Sequence, residues 1–97
     1  MMMVVVAYDV NTEEPAGRRR LRLVAKACMK FGQRVQNSIF ECLISTSDLL
    51  ILRQQLLDII DDSKDSLRFY NMGAKYSGKI EQYGVERHLP ADSVMII

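Results

Sequence analysis

The chain has a single histidine, His88, no tryptophan, two cysteines and two prolines in 97 residues. One histidine excludes most familiar hydrolytic machinery. A zinc site of mixed cysteine and histidine ligands needs more than Cys28, Cys42 and His88 supply at their spacings. A Ser–His–Asp or Cys–His arrangement would have to use His88, which lies in a polar tail beside Pro90. The two cysteines, each in an apolar pattern, make no disulfide framework, so a cytoplasmic, reducing location is expected. Long hydrophobic runs are also missing. The longest wholly apolar stretch is Met1–Ala7, against the roughly 18 residues a membrane span requires. With no basic flank and no cleavage-like site before Asp9, it does not read as a signal peptide. The length suits one modest core and leaves no room for a second catalytic domain. Any chemistry then falls to carboxylates, arginines and a hard metal ion.

Acid is absent where base is concentrated. The net charge is only +1, from 13 Lys and Arg against 12 Asp and Glu. Between Pro15 and Phe40, however, stand Arg18, Arg19, Arg20, Arg22, Lys26, Lys30 and Arg34 without one acidic residue. Asp58, Asp61, Asp62 and Asp65 crowd together further on. A ligand feels the local field rather than the total; the run is either a solvated helix face or a surface for an anionic partner, and the lack of interspersed acids sets it apart from most solubilising faces.

Met3–Tyr8 is apolar, β-branched and short, and it reads as a strand buried on both faces. A polar loop follows, with Thr12 or Glu13 as candidate caps and Pro15 in the first turn of a helix. Leu21, Val24, Ala25 and Cys28 recur at helical spacing and carry that helix to about Phe31, where Gly32 stops it. Arg18, Arg22 and Lys26 recur four apart on the other face, with Arg19 and Lys30 beside them. Val35 and then Ile39, Phe40, Cys42 and Ile44 suggest two strand pieces joined through a turn at Asn37–Ser38. Ser45 to Ser47 offer caps for a second helix built on Leu49, Leu52, Leu56 and Ile59–Ile60, ending near Asp62. Asp65–Met72 is a further strand, and Lys79–Tyr83 is a candidate fifth. Gly84–Ser93 is a polar connector before the apolar Val94–Ile97.

Strand, helix, two strands, helix, strand is the α+β order of the ferredoxin-like βαββαβ sandwich, with the first strand central. We expect residues 1–84 to form that domain and 85–97 to be a connector and short strand at a dimer interface. Two helices cover one face of such a sheet, and the apolar residues left on the other imply a homodimer. Val94–Ile97 would then add to a neighbour's sheet edge.

Asp9 follows the first strand directly, where loops carrying functional groups meet a sheet end. A two-fold axis near that strand would bring two copies of Asp9 together, and like charges at close range need a cation or a shared proton. A hard divalent ion with oxygen ligands, Mg²⁺ or Mn²⁺, suits such a pair.

V-V-V-A-Y-D-V, an Arg-rich first helix, Q-R-V-Q-N-S-I-F-E-C and D-S-L-R-F-Y, in that order, resemble the CRISPR-associated protein 2 family of prokaryotic adaptive immunity. The resemblance implies a small ferredoxin-like dimer acting in spacer acquisition. It implies metal-dependent endonuclease activity on single-stranded RNA or double-stranded DNA, and a bridge between dimers of the CRISPR integrase, CRISPR-associated protein 1. Asp9 then matches the family's metal-binding aspartate and Tyr8 the aromatic before it. Arg18 and Arg34 match basic residues near the site, with Arg18, Arg19 and Arg20 not separable by register. Ser38 and Phe40 match its S-x-F element, and Arg68 falls on the sheet surface. Two functions follow: a Mg²⁺-dependent phosphodiesterase, or a DNA-binding adaptor that needs no catalysis. A toxin-like RNase of a related ferredoxin-like family is a third.

Overall fold

Alternation governs the first strand. In the computed structural model, which describes residues 1–85, β1 (Met2–Asp9) buries Val4, Val6 and Tyr8 on one side and leaves Val5 and Ala7 half-buried on the other. The strand is therefore central but not buried on both faces within one chain. Its second face is apolar without a cover.

Glu14, extended and without a side-chain cap, precedes α1 (Pro15–Met29), so neither Thr12 nor Glu13 is the cap residue. Pro15 opens the helix where its missing N–H costs nothing. Leu21, Val24, Ala25 and Cys28 pack inward as their spacing predicts. The helix ends before Phe31, through a tightened turn in which the Lys30 amide donates to the Ala27 carbonyl at 3.2 Å and the Phe31 amide to Cys28 at 3.0 Å. Gly32 is not the left-handed cap expected of it, since its φ lies outside that region. It is glycine for want of room: a Cβ there would stand 2.9 Å from the Cys42 Cα and closer still to its sulfur.

β2 (Gln33–Gln36) and β3 (Ile39–Ile44) form the hairpin placed at Asn37–Ser38, with the pairing register shifting between Arg34 and Gln36. The Ser45 hydroxyl caps α2 (Thr46–Ile59), accepting from the Asp48 amide at 3.2 Å, and Leu49, Leu52 and Leu56 turn inward. β4 (Ser66–Gly73) completes a four-stranded antiparallel sheet in the order β2-β3-β1-β4, with both helices on one face. This is the ferredoxin-like arrangement expected.

The fifth strand at Lys79–Tyr83 does not form. Its segment is turn and irregular backbone, in which the Lys79 amide bonds the Tyr76 carbonyl at 2.9 Å and Ile80 and Tyr83 face solvent. Those residues present no face to bury, and without burial a strand there gains nothing. Val94–Ile97, most of the polar connector and His88 lie outside the described residues.

Candidate nucleic-acid interface

Amphipathicity alone puts the basic residues of α1 outside. With Leu21, Val24 and Cys28 turned to the core, Arg18, Arg19, Arg22 and Lys26 are exposed along the helix, and Lys30 continues the line at its end. Arg18 to Lys30 span about 18 Å at 1.5 Å per residue. That length equals the spacing of about five successive phosphates of one strand at 3.4 Å each. No acidic residue falls between Pro15 and Phe40 in the sequence, but Asp58 of the second helix lines one groove with Lys26 and Lys30 at the far end of the stripe. At the helix start, Arg18 Nη1 donates to the Thr12 carbonyl at 3.3 Å, which holds it over the loop that follows Asp9.

Arg20 is not part of this stripe. Its Nε donates to Asp65 Oδ2 at 2.7 Å and its Nη2 to Asp65 Oδ1 at 3.2 Å, the one ion pair among the described residues. Its charge is committed within the fold.

Asp9 ends β1 opposite Ser66 of β4 and is exposed. Strand alternation places it with Val5 and Ala7 on the uncovered sheet face. Among the described residues its carboxylate makes no hydrogen bond or ion pair, which leaves it available to an outside ligand.

Tyr8, Phe40 and Arg34 fall on the opposite face, whereas Ser38 lies in the turn between β2 and β3 and Arg68, paired with Ala7, shares the open face. Phe40 pairs with Val6 and Arg34 with Phe40, so both point under the helices, as Tyr8 does. Tyr8 and Phe40 stack with ring centroids 6.2 Å apart, and the Arg34 guanidinium lies 5.3 Å from the Phe40 centroid. Arg34 is only 2% exposed, and none of its three side-chain nitrogens has a hydrogen-bond partner. A cation held over an aromatic face recovers part of its desolvation cost. From there it reaches no phosphate unless the hairpin opens. Burial, partly opposed by that guanidinium, pushes the Tyr8 phenol up to about 12. Its hydroxyl contacts the Asn37 carbonyl at 3.5 Å, and the Tyr8 amide donates to the Ser38 carbonyl at 3.1 Å. Ser38 thus enters through its backbone. Arg68 is a sheet-surface residue, stacked 5.2 Å from the Tyr70 ring.

The structure brings together Tyr8, Phe40 and Arg34, and it separates them from Asp9 and Arg18. It also reveals Asp65, whose carboxylate joins three segments. The sequence shows it only as one acid in a crowd, because its partner Arg20 is distant along the chain.

The family described as "CRISPR associated protein Cas2" matches residues 2–80. The chain belongs to the Cas2 family. A Cas2 relative from Chlorobaculum tepidum, named a CRISPR-associated endoribonuclease, is 47% identical over 96 residues, covering 99% of this chain and all of that one. One from Halalkalibacterium halodurans, named a CRISPR-associated endonuclease, is 44% identical over 95 residues, covering 98% and 99%. Among solved structures, Streptococcus pyogenes Cas2 at pH 6.5 superposes with a TM-score of 0.76 at 52% identity, over 86% of this chain and the whole of that one. Family membership and fold thus agree.

A resident metal does not fit one chain of this Cas2 protein by itself. Among the described residues no three His, Cys, Asp or Glu side chains gather as ligands. Asp9 offers a single carboxylate; Mg²⁺ keeps several waters and is held by one or two carboxylates, so a second Asp9 from another copy would complete the usual protein share of its ligands.

Proposed function

We propose that this chain acts in CRISPR spacer acquisition as a homodimeric, metal-dependent endonuclease of RNA or double-stranded DNA. The observation that carries the reading is Asp9, exposed and unpartnered at the end of the central strand, on an uncovered sheet face whose apolar residues surround Glu41 and Arg68. Val5, Ala7, Ile39, Leu43 and Tyr70 make that face, and a second copy seated on it would bring two Asp9 carboxylates together. Both relatives described above carry nuclease names, which supports the same activity here. Residues 1–84 then form the domain.

Each residue has a part in this reading. The two Asp9 carboxylates would hold Mg²⁺ or Mn²⁺, which when bound supplies Lewis acidity toward a phosphodiester. Arg18, at the Asp9 end of the stripe, holds a phosphate and offsets charge that develops on it. Arg19, Arg22, Lys26 and Lys30 hold the backbone without reading bases. Tyr8, Phe40, Ser38 and Arg34 set the end of β1 from behind the sheet.

A second reading draws on one observation. Asp9 issues from the open face, whereas the stripe lies on the helix layer. A duplex lying along the stripe need not meet Asp9 at all. The dimer is then an adaptor that holds duplex DNA and bridges dimers of the CRISPR integrase.

Titration of Mg²⁺ and Mn²⁺ against cleavage of single-stranded RNA and duplex DNA separates the two, with Asp9→Ala purified alongside. Cleavage should fall by about a hundredfold or more in the variant, as befits loss of several kcal/mol of metal-derived stabilisation. Duplex affinity should stay within about twofold. Equal cutting by both proteins refutes the role of Asp9. Binding without cutting in either favours the adaptor.

A further inference from the structure

The Asp65 side chain has no exposure to solvent. Its carboxylate accepts four N–H bonds: from Arg20 Nε at 2.7 Å, Arg20 Nη2 at 3.2 Å, the Asn11 amide at 3.0 Å and the Asp61 amide at 2.9 Å. Burial works to raise this carboxyl, and the donors outweigh it, the Arg20 guanidinium first among them, so it stays below the usual carboxylate range. The donors come from three segments: α1, the loop between β1 and α1, and the turn between α2 and β4.

A buried ion pair is a weak source of stability, since apolar residues of similar volume often serve as well. What four directed bonds do supply is a fixed geometry. Asn11, two residues after Asp9, is held from several sides. Its amide is taken by Asp65, and its side-chain oxygen accepts from the Glu13 amide at 3.0 Å. Its carbonyl lies against Gly17 of α1, so closely that a Cβ at that position would overlap it. On the strand side, Asp9 pairs with Ser66, the neighbour of Asp65 in sequence.

We propose that Asp65 is a positioning residue: its carboxylate locks the Asn11 loop to Arg20 of α1, and so fixes the Asp9 carboxylate relative to the phosphate-holding stripe. The proposal rests on the nuclease reading above. Asp65 touches no substrate and acts through Asn11 and Arg20.

The test uses the full-length protein with Asp65→Asn, which keeps size and one acceptor but loses the charge. Arg20→Gln breaks the same lock from the other side. Amide hydrogen exchange is followed residue by residue beside cleavage kinetics on RNA and duplex DNA. In both variants the Asn11 amide should exchange at least about tenfold faster, while the core amides of Val4 and Val6 keep their protection. The kcat should fall by about tenfold or more with KM unchanged within about twofold, the pattern of a displaced catalytic group. Unchanged exchange at Asn11 overturns the lock. A rise shared equally by Val4 and Val6 overturns it too, since the variants are then only less stable. A loosened Asn11 with unchanged kcat overturns the positioning role. If the wild-type protein cuts neither substrate, the nuclease reading falls and takes the kinetic half with it, while exchange alone still decides the lock.

Discussion

Arg34 and Arg20 belong to one basic run in the sequence, yet neither joins the exposed stripe. Arg34 is drawn under the helices by its place in β2 opposite Phe40, and Arg20 is tied to the Asp65 carboxylate. The same enclosure acts on neutral acids. Burial raises the Tyr8 phenol from 10.0 to about 12, and raises the Cys28 thiol from 9.0 to about 12, with the neighbouring Cys42 adding to the latter. A folded-state value above the unfolded one means the associated stability is complete below the unfolded value and is lost as pH rises toward the folded one. For Tyr8 the window runs from pH 10 to 12, and a shift of two units corresponds to about 3 kcal/mol. The melting temperature should therefore drop steeply across that window. Tyr8→Phe, which keeps the ring but has no proton to lose, should flatten the drop; an identical pH profile for the two proteins would contradict this account.

At the scale of elements, α1 would be the functional unit in the proposed reading, because one helix carries the core stripe and the exposed basic stripe on opposite sides. Replacing Arg18, Arg19 and Arg22 together by Glu should weaken duplex binding. It should also reduce the slope of log affinity against log salt by about 3 or more, at roughly 0.9 per phosphate contact. Fluorescence anisotropy at several salt concentrations measures both, and an unchanged slope would mean the stripe is only a solvated face. The helices and strands themselves were legible in the sequence, since periods of 3.6 and 2 follow from local geometry. Their ends were less so. Glu14 is the cap residue rather than Thr12 or Glu13, and Gly32 is required by the approach of Cys42 rather than by helix termination. Lys79–Tyr83 had strand-like composition without a surface to pack on.

The described residues form a sheet with helices on one side, and in the proposed reading the open side is where a second copy would seat. Val5 and Ala7 of the central strand are only half-buried, and Leu43 and Tyr70 are exposed beside them. If a second copy covers this face, a carboxylate placed at Val5 is buried directly opposite Glu41 on association, a like-charge pair taken out of water. Val5→Glu should weaken the dimer by about a hundredfold or more, read by sedimentation equilibrium. Metal-dependent cleavage should decline in step with the dimer population. A monomer that cuts as well as the dimer would remove the need for paired Asp9 residues.

By itself the sequence determined the element order, the amphipathic faces, the central place of β1 and the charge segregation, because each follows from spacing along the chain. It also placed Asp9 at the end of a strand and Ser45 at a helix start. Which basic residues remain free was decided only in three dimensions. Arg20 meets a carboxylate 45 positions away, and Arg34 turns inward with its strand. The same holds for the split between Asp9 and the column of Tyr8, Phe40 and Arg34, two sets that intermingle in sequence. Side chains of adjacent strand residues point to opposite faces, and only the packing of both helices on one of those faces fixes which set is enclosed and which is left open.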